Sequence, residues 1–215
     1  MAAAIDALLV IVLLENLFTL GASRIRSIVY AVATQGVLLS LLPLLLHHTL
    51  GLREVLVSLG TLGLKGVTIP RMLMRAMADL PIRKEIEPLM GFKASLIFGA
   101  AATGGSIYVS TQLPLAGEVG TSGQMVIAAS FATILTGFLL ITTRIKALTQ
   151  VLGYLVLENG IYIFGVLMLQ ATPFLVEVGL LLDLFVAIFV MGIIIHHISR
   201  EFSSISTERL STLKD

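Results

Sequence analysis

The chain contains no cysteine and no tryptophan, and charged residues make up only 13% of it. Without cysteine there can be no disulfide, no thiolate-held iron–sulfur cluster and no thiol chemistry. Without tryptophan the usual aromatic belt of a membrane protein is weakened, and a retinal pocket would lack its customary lining. A soluble domain would carry about 25% charged residues. Net charge is only +1, which excludes a bulk electrostatic attraction for nucleic acid. What fills the space instead is apolar: 57% of the 215 residues are hydrophobic, and the mean hydropathy is +1.01. This is the composition of an integral membrane protein with little mass outside the bilayer. The N-terminal run MAAAIDALLVIVLLENLF has no basic n-region and carries Asp6, so it reads as a retained helix and not as a cleaved signal.

A membrane span needs about 20 apolar residues. Seven segments qualify, near 4–21, 27–48, 52–77, 93–113, 124–143, 147–169 and 173–198. None alternates like a barrel strand, so the expected class is all-α. Taking the loops alternately, one side collects Arg24, Arg26, Arg83, Lys84, Lys93, Arg144, Lys146, Arg200, Arg209 and Lys214, with Arg71 and Arg75 close by. The other side has Arg53. The positive-inside rule then puts the N-terminus outside and the C-terminus in the cytoplasm. SRIRSIVYAV (23–32) and TRIKALTQVL (143–152) align at an offset of 120, which suggests a parallel three-helix repeat of a kind common in transport proteins. The expected organisation is an N-terminal three-helix half (1–78), a cytoplasmic loop with the fourth helix and an outer loop (79–121), a C-terminal three-helix module (122–198) and a polar tail (199–215).

Ionisable groups inside such spans are costly and usually functional, the mildest scale giving about 2.5–3.5 kcal/mol each. Glu158 and Asp183 lie near the middles of the last two runs. Gln150, Tyr154, Glu158 and Tyr162 recur every fourth residue, on one helical face. That stripe reads either as a water and proton path or as a tyrosine–carboxylate cluster locking two helices. Asp183 stands between Gly179 and Ala187, small residues that admit a neighbouring helix. In the third run Glu54, Ser58, Thr61, Lys65, Thr68 and Arg75 fall at helical spacing and predict one polar face along the whole span. Lys65 would sit about 20 Å from its outer end, needing a carboxylate or a hydrated cavity, and Pro70 predicts a kink near Gly66. Glu15, with Thr19 one turn on, is the natural additional group of an ionisable chain in the first run. The recurrence of Leu-Glu-Asn at 14–16 and 157–159 reads as chance, because those helices run in opposite directions. Thr103, Ser106 and Ser110 make the fourth helix a packing element. The segment 78–93 reads as a connecting loop, or as a docking surface for a partner subunit. His47–His48 and His196–His197 fall at opposite membrane faces and cannot ligate one haem, so no cofactor is expected.

RIKALTQVLGYLVLENGIYIFG and VEVGLLLDLFVAIFVMGIIIHHISREF resemble the small three-helix K subunit of respiratory complex I and the C subunit of Mrp-type antiporters. In those families a basic turn opens a helix bearing a membrane glutamate, and a second acid follows about two dozen positions on. The matching residues are Arg144, Lys146, Glu158 and Asp183. The second acid is aspartate where the family has glutamate, and Asn159 directly follows Glu158, unlike the usual spacing. With L-E-N-G-I and V-E-V-G-x-L-L-D-x-F-V-x-x-F-x-M-G, the last 75 or so residues are similar to the hydrogenase-4 component E family of group 4 [NiFe] hydrogenase and formate hydrogenlyase-type complexes. The resemblance implies a multi-pass subunit of a prokaryotic cytoplasmic membrane, without a redox centre, beside antiporter-like and quinone-site-like subunits. It implies proton or sodium translocation coupled to electron transfer elsewhere, with Glu158 and Asp183 at the matching acidic positions; the residue pattern adds Lys65, Glu15 and Tyr154 to the groups expected to take part. A stand-alone cation/proton antiporter and a purely structural scaffold are the alternatives.

Overall fold

The computed structural model describes residues 2–46, 51–79, 89–113 and 120–167. All of the regular structure there is helical. Helices α1 (Ala2–Gly21) and α2 (Ile25–Leu46) form one hairpin, joined by a short turn, and α6 (Gly120–Thr143) and α7 (Ala147–Leu167) form another. Between them in the chain come α3 (Leu52–Thr61), a π-helical segment (Leu62–Thr68), α4 (Ile69–Asp79) and α5 (Phe92–Gln112). Among the described residues, four helical stretches are long and apolar enough to cross a membrane: Ala2–Gly21, Ile25–Leu46, Gly123–Thr143 and Leu148–Leu167. The expected run at 173–198 lies outside the described residues, together with Asp183, both histidine pairs and the tail. So does most of the 78–93 loop.

The two hairpins pack on each other, α1 against α6 and α2 against α7, while α5 lies against α1 and α6. Backbone contact makes α6 and α7 one unit. A Cβ on Gly137 would strike the backbone of Leu157, and one on Gly153 would come within 2.9 Å of the Ile141 nitrogen. Gly160 faces Ile134 in the same way, and its carbonyl accepts a 2.8 Å hydrogen bond from Ser130. Small residues thus do for α6 and α7 what bulky ones prevent, letting two backbones meet. On α5, Ser95, Gly99, Ser106 and Ser110 form the buried stripe, and Leu20 fills the place a Gly99 side chain would occupy.

The third run departs from a simple kinked span. A proline lacks the N–H for its turn, and its ring collides with the carbonyl four residues back. Here Pro70 comes two residues after a seven-residue stretch with the wider i→i+5 pattern. Thr68 Oγ1 donates back to the Gly63 carbonyl at 2.8 Å. The wider winding turns the chain less per residue, so the face aligned up to Lys65 does not continue beyond it. Ser58, Thr61 and Lys65 are buried, whereas Thr68 and Arg75 are exposed. The single polar face expected along the whole span is therefore broken at the π segment.

The apolar interior is divided in two. One cluster gathers Leu20, Ile25, Ile28, Val32, Leu73, Leu140, Leu152 and Val156 near the two hairpin turns. The other gathers Leu9, Val12, Leu39, Leu42, Val126, Ala132 and Ile163 toward the opposite end. On each helix the gap between them is occupied by buried polar residues: Asn16 on α1, Gln35 on α2, Thr133 and Thr136 on α6, Glu158 and Asn159 on α7. A polar layer is thus enclosed between two oily ones.

Candidate functional site: a buried Lys65–Glu158 pair

Lys65 enters the polar layer from the π segment, its backbone pressed against α2. Glycine at position 36 makes that approach feasible, because a Cβ there would lie 2.7 Å from the Lys65 carbonyl carbon and 2.8 Å from its oxygen. The ammonium meets Glu158 Oε1 of α7 at 3.2 Å, and the two side chains are only 5% and 4% exposed. Lys65 Nζ also donates to Asn159 Oδ1 at 3.3 Å and stands 5.0 Å from the centre of the Tyr162 ring. Thr61, one turn before Lys65, donates a 3.0 Å hydrogen bond to the Tyr162 hydroxyl oxygen. The carboxylate has no further hydrogen-bond partner among the described residues. Its charge is balanced by the lysine, while the lysine has a carboxylate, an amide oxygen and an aromatic face.

From Asn159 a chain of amides crosses the bundle. Asn159 Nδ2 donates to Gln35 Oε1 at 3.1 Å, Gln35 Nε2 donates to Asn16 Oδ1 at 2.8 Å, and Asn16 Nδ2 donates to Thr133 Oγ1 at 2.8 Å. Thr133 Oγ1 in turn donates to the Ala129 carbonyl at 2.7 Å. Gln35 is clasped on both sides by the asparagines of the two Leu-Glu-Asn runs. The recurrence read as chance is therefore a structural feature: antiparallel helices bring residues 16 and 159 to the same glutamine from opposite sides.

The other sequence-singled residues divide. Of the four-residue stripe on α7, Glu158 and Tyr162 meet at Lys65. Tyr154 packs against the apolar cluster near the hairpin turns, and Gln150 Nε2 donates to the Arg144 carbonyl at 3.0 Å. Glu15 is not among the residues around Lys65; it accepts a hydrogen bond from Thr34 on the outer flank of the α1–α2 hairpin. Arg144 is fully buried at the α6–α7 turn, where its Nη2 donates to the Leu20 carbonyl at 2.6 Å and its guanidinium lies 5.1 Å from the Phe92 ring centre. Burial lowers its pKa from the ordinary arginine value. Gln35, Asn16 and Thr133 were not singled out from the sequence, although an amide in the middle of a 22-residue apolar helix is the sort of signal that marks them. No group of His, Cys, Asp and Glu residues able to hold a metal ion occurs among the described residues.

Comparison with known proteins gives two levels of likeness. The hydrogenase-4 component E proteins of Escherichia coli and Shigella flexneri are 30% identical to the chain over 103 residues, which is 48% of this chain and 46% of theirs. The chain thus matches just under half the length of those relatives. No family model matches, and no solved structure does. The uncharacterized protein Rv0085 of Mycobacterium tuberculosis is 32% identical over 197 residues, 89% of this chain and 87% of that one, and the chain belongs to its family.

Proposed function

We propose that the chain is a non-catalytic membrane subunit of a hydrogenase-4-type complex and takes part in moving protons, or sodium ions, in step with electron transfer in partner subunits. The observation that carries this reading is the Lys65–Glu158 pair, buried between two apolar layers and seated on a π-helical turn. An ammonium and a carboxylate in contact stabilise each other's charge, and separating them disfavours both charged forms. A charge arriving nearby can therefore move a proton at Glu158 without a large motion of the helices. The partial likeness to hydrogenase-4 component E supports the kind of assembly. In the full reading the chain has seven spans with its N-terminus outside and carries a parallel repeat. Asp183 and Glu15 are further protonatable stations, and Tyr154 lines the approach to Glu158. Antiporter-like and quinone-site-like subunits are the neighbours. The amides of Asn159, Gln35 and Asn16 do not titrate; they fix the pair's position and do not themselves conduct.

The scaffold reading draws on the same amide chain, since a hydrogen-bonded polar layer fixes helix register whether or not it conducts. Glu158→Gln in the assembled complex separates the two. Loss of proton pumping, with hydrogenase activity toward a soluble electron carrier intact, is expected. Full pumping in the assembled variant would remove Glu158 from the path. Failure to assemble would favour the scaffold.

A further inference from the structure

Between α2 on one side and the π segment and α4 on the other lies a groove of about 510 Å³, within the usual range of ligand clefts. Val29 and Ala33 of α2 form one wall. Val67, Pro70 and Met74 form the other, so the long axis is apolar. The polar elements are concentrated toward one end. Arg71 and Arg75, one turn apart on α4, line the groove and are exposed, and no ion pair joins either to a described residue. Tyr30, 61% exposed, stands at the lip. No acidic side chain is among the described lining residues. α2 begins and α4 ends at this level, where the chain passes from apolar run to basic turn, with Arg24 and Arg26 at the start of α2. Guanidiniums four residues apart on a helix are separated by about 6 Å along the axis, close enough to share one phosphate through charge-assisted hydrogen bonds.

We propose that this groove binds an anionic phospholipid of the bilayer, its phosphate held by Arg71 and Arg75 and an acyl chain lying along Ala33, Val67 and Met74. The apolar floor argues against a free phosphate, which would gain nothing from it. Among the described residues no carboxylate lines the groove, which argues against a zwitterionic headgroup, whose amine would have no partner there. Basic pockets between membrane helices at the headgroup level recognise anionic lipids in this way, and an interfacial tyrosine belongs at that depth.

The absence of tryptophan supplies the assay. Tyr30→Trp in the full-length chain places a single, selectively excited tryptophan at the groove lip. The protein is reconstituted in phosphatidylcholine vesicles containing dibrominated phosphatidylglycerol or, at equal mole fraction, dibrominated phosphatidylcholine. The anionic quencher is expected to bind about tenfold more strongly at this site. Arg71→Gln with Arg75→Gln should bring the ratio to one, while quenching by brominated phosphatidylcholine is unchanged. A ratio near one with both arginines present overturns the proposal, and would mean that another segment of the chain or a protein partner fills the groove. A preference that survives loss of both arginines overturns it as well. The parent ratio decides by itself if the double variant does not insert.

Discussion

Removing the lysine of the buried pair should cost more than neutralising its glutamate. In Lys65→Met the Glu158 carboxylate loses its counter-charge, and no other described residue hydrogen-bonds to it. Breaking a buried pair from one side costs about 3–5 kcal/mol, because a charge is left uncompensated. In Glu158→Gln the ammonium keeps Asn159 Oδ1 at 3.3 Å and the Tyr162 ring at 5.0 Å. The new amide oxygen can occupy the place of Glu158 Oε1. One charged partner is exchanged for a neutral one, so the expected cost is about 1–2 kcal/mol. The double variant Lys65→Met/Glu158→Gln has no buried charge at this point and should recover at least about 2 kcal/mol relative to Lys65→Met alone. Equilibrium unfolding in mixed micelles, followed by helical circular dichroism as denaturing detergent is added, gives all three values in one double-mutant cycle. Equal stability of Lys65→Met and the double variant would refute the reasoning, since it would mean that the carboxylate was never dependent on the lysine.

Gly36→Ala should destabilise the bundle by about 1–3 kcal/mol, because its methyl would meet the Lys65 backbone at 2.7–2.8 Å; the same detergent titration reads it, and an unchanged midpoint would show that α2 and the π segment are not held in contact. Gln35→Leu removes the residue clasped by Asn16 and Asn159 and should cost about 2–4 kcal/mol through the polar groups left unsatisfied, with Gln35→Glu unable to restore the donor to Asn16; a shift below about 0.5 kcal/mol would mean the amide chain is not continuous.

Much of the helical layout was legible because apolar runs of span length leave few choices. The helices over 2–21, 25–46 and 147–167 begin and end within a few residues of the runs that announce them. Lys65 was legible as a residue in need of a partner, since a lysine at that depth is costly alone. Its pairing with Glu158 was not, because nothing in a one-dimensional pattern says which helix lies beside the third run. Thr68 is exposed for a definite reason: helical-wheel reasoning assumes a constant turn per residue, and the π segment, which begins at Leu62 and ends at Thr68, breaks that constancy. Asn159 was noticed as a departure in spacing, yet its amide is what links Lys65 to Gln35. The two Leu-Glu-Asn runs were dismissed on helix direction, the very property that lets their asparagines approach one glutamine from both sides. Glu15 lies apart from the polar layer, which the pattern of the first run does not reveal. Being next to Asn16 in sequence places it about 100° round the helix, and its carboxylate turns to Thr34 instead of the polar layer.

The backbone contacts between α6 and α7 bear on how the charged pair could come apart. Glu158 directly follows Leu157, whose backbone lies against Gly137, and Gly153 and Gly160 bracket it with two further contacts of the same kind. The carboxylate is mounted on a frame of two fused helices. Lys65 reaches it on a long aliphatic stem from a widened helical turn next to a proline. Seen mechanically, one pole of the pair is a fixed post and the other a swinging arm, so a change in their separation falls to the lysine side.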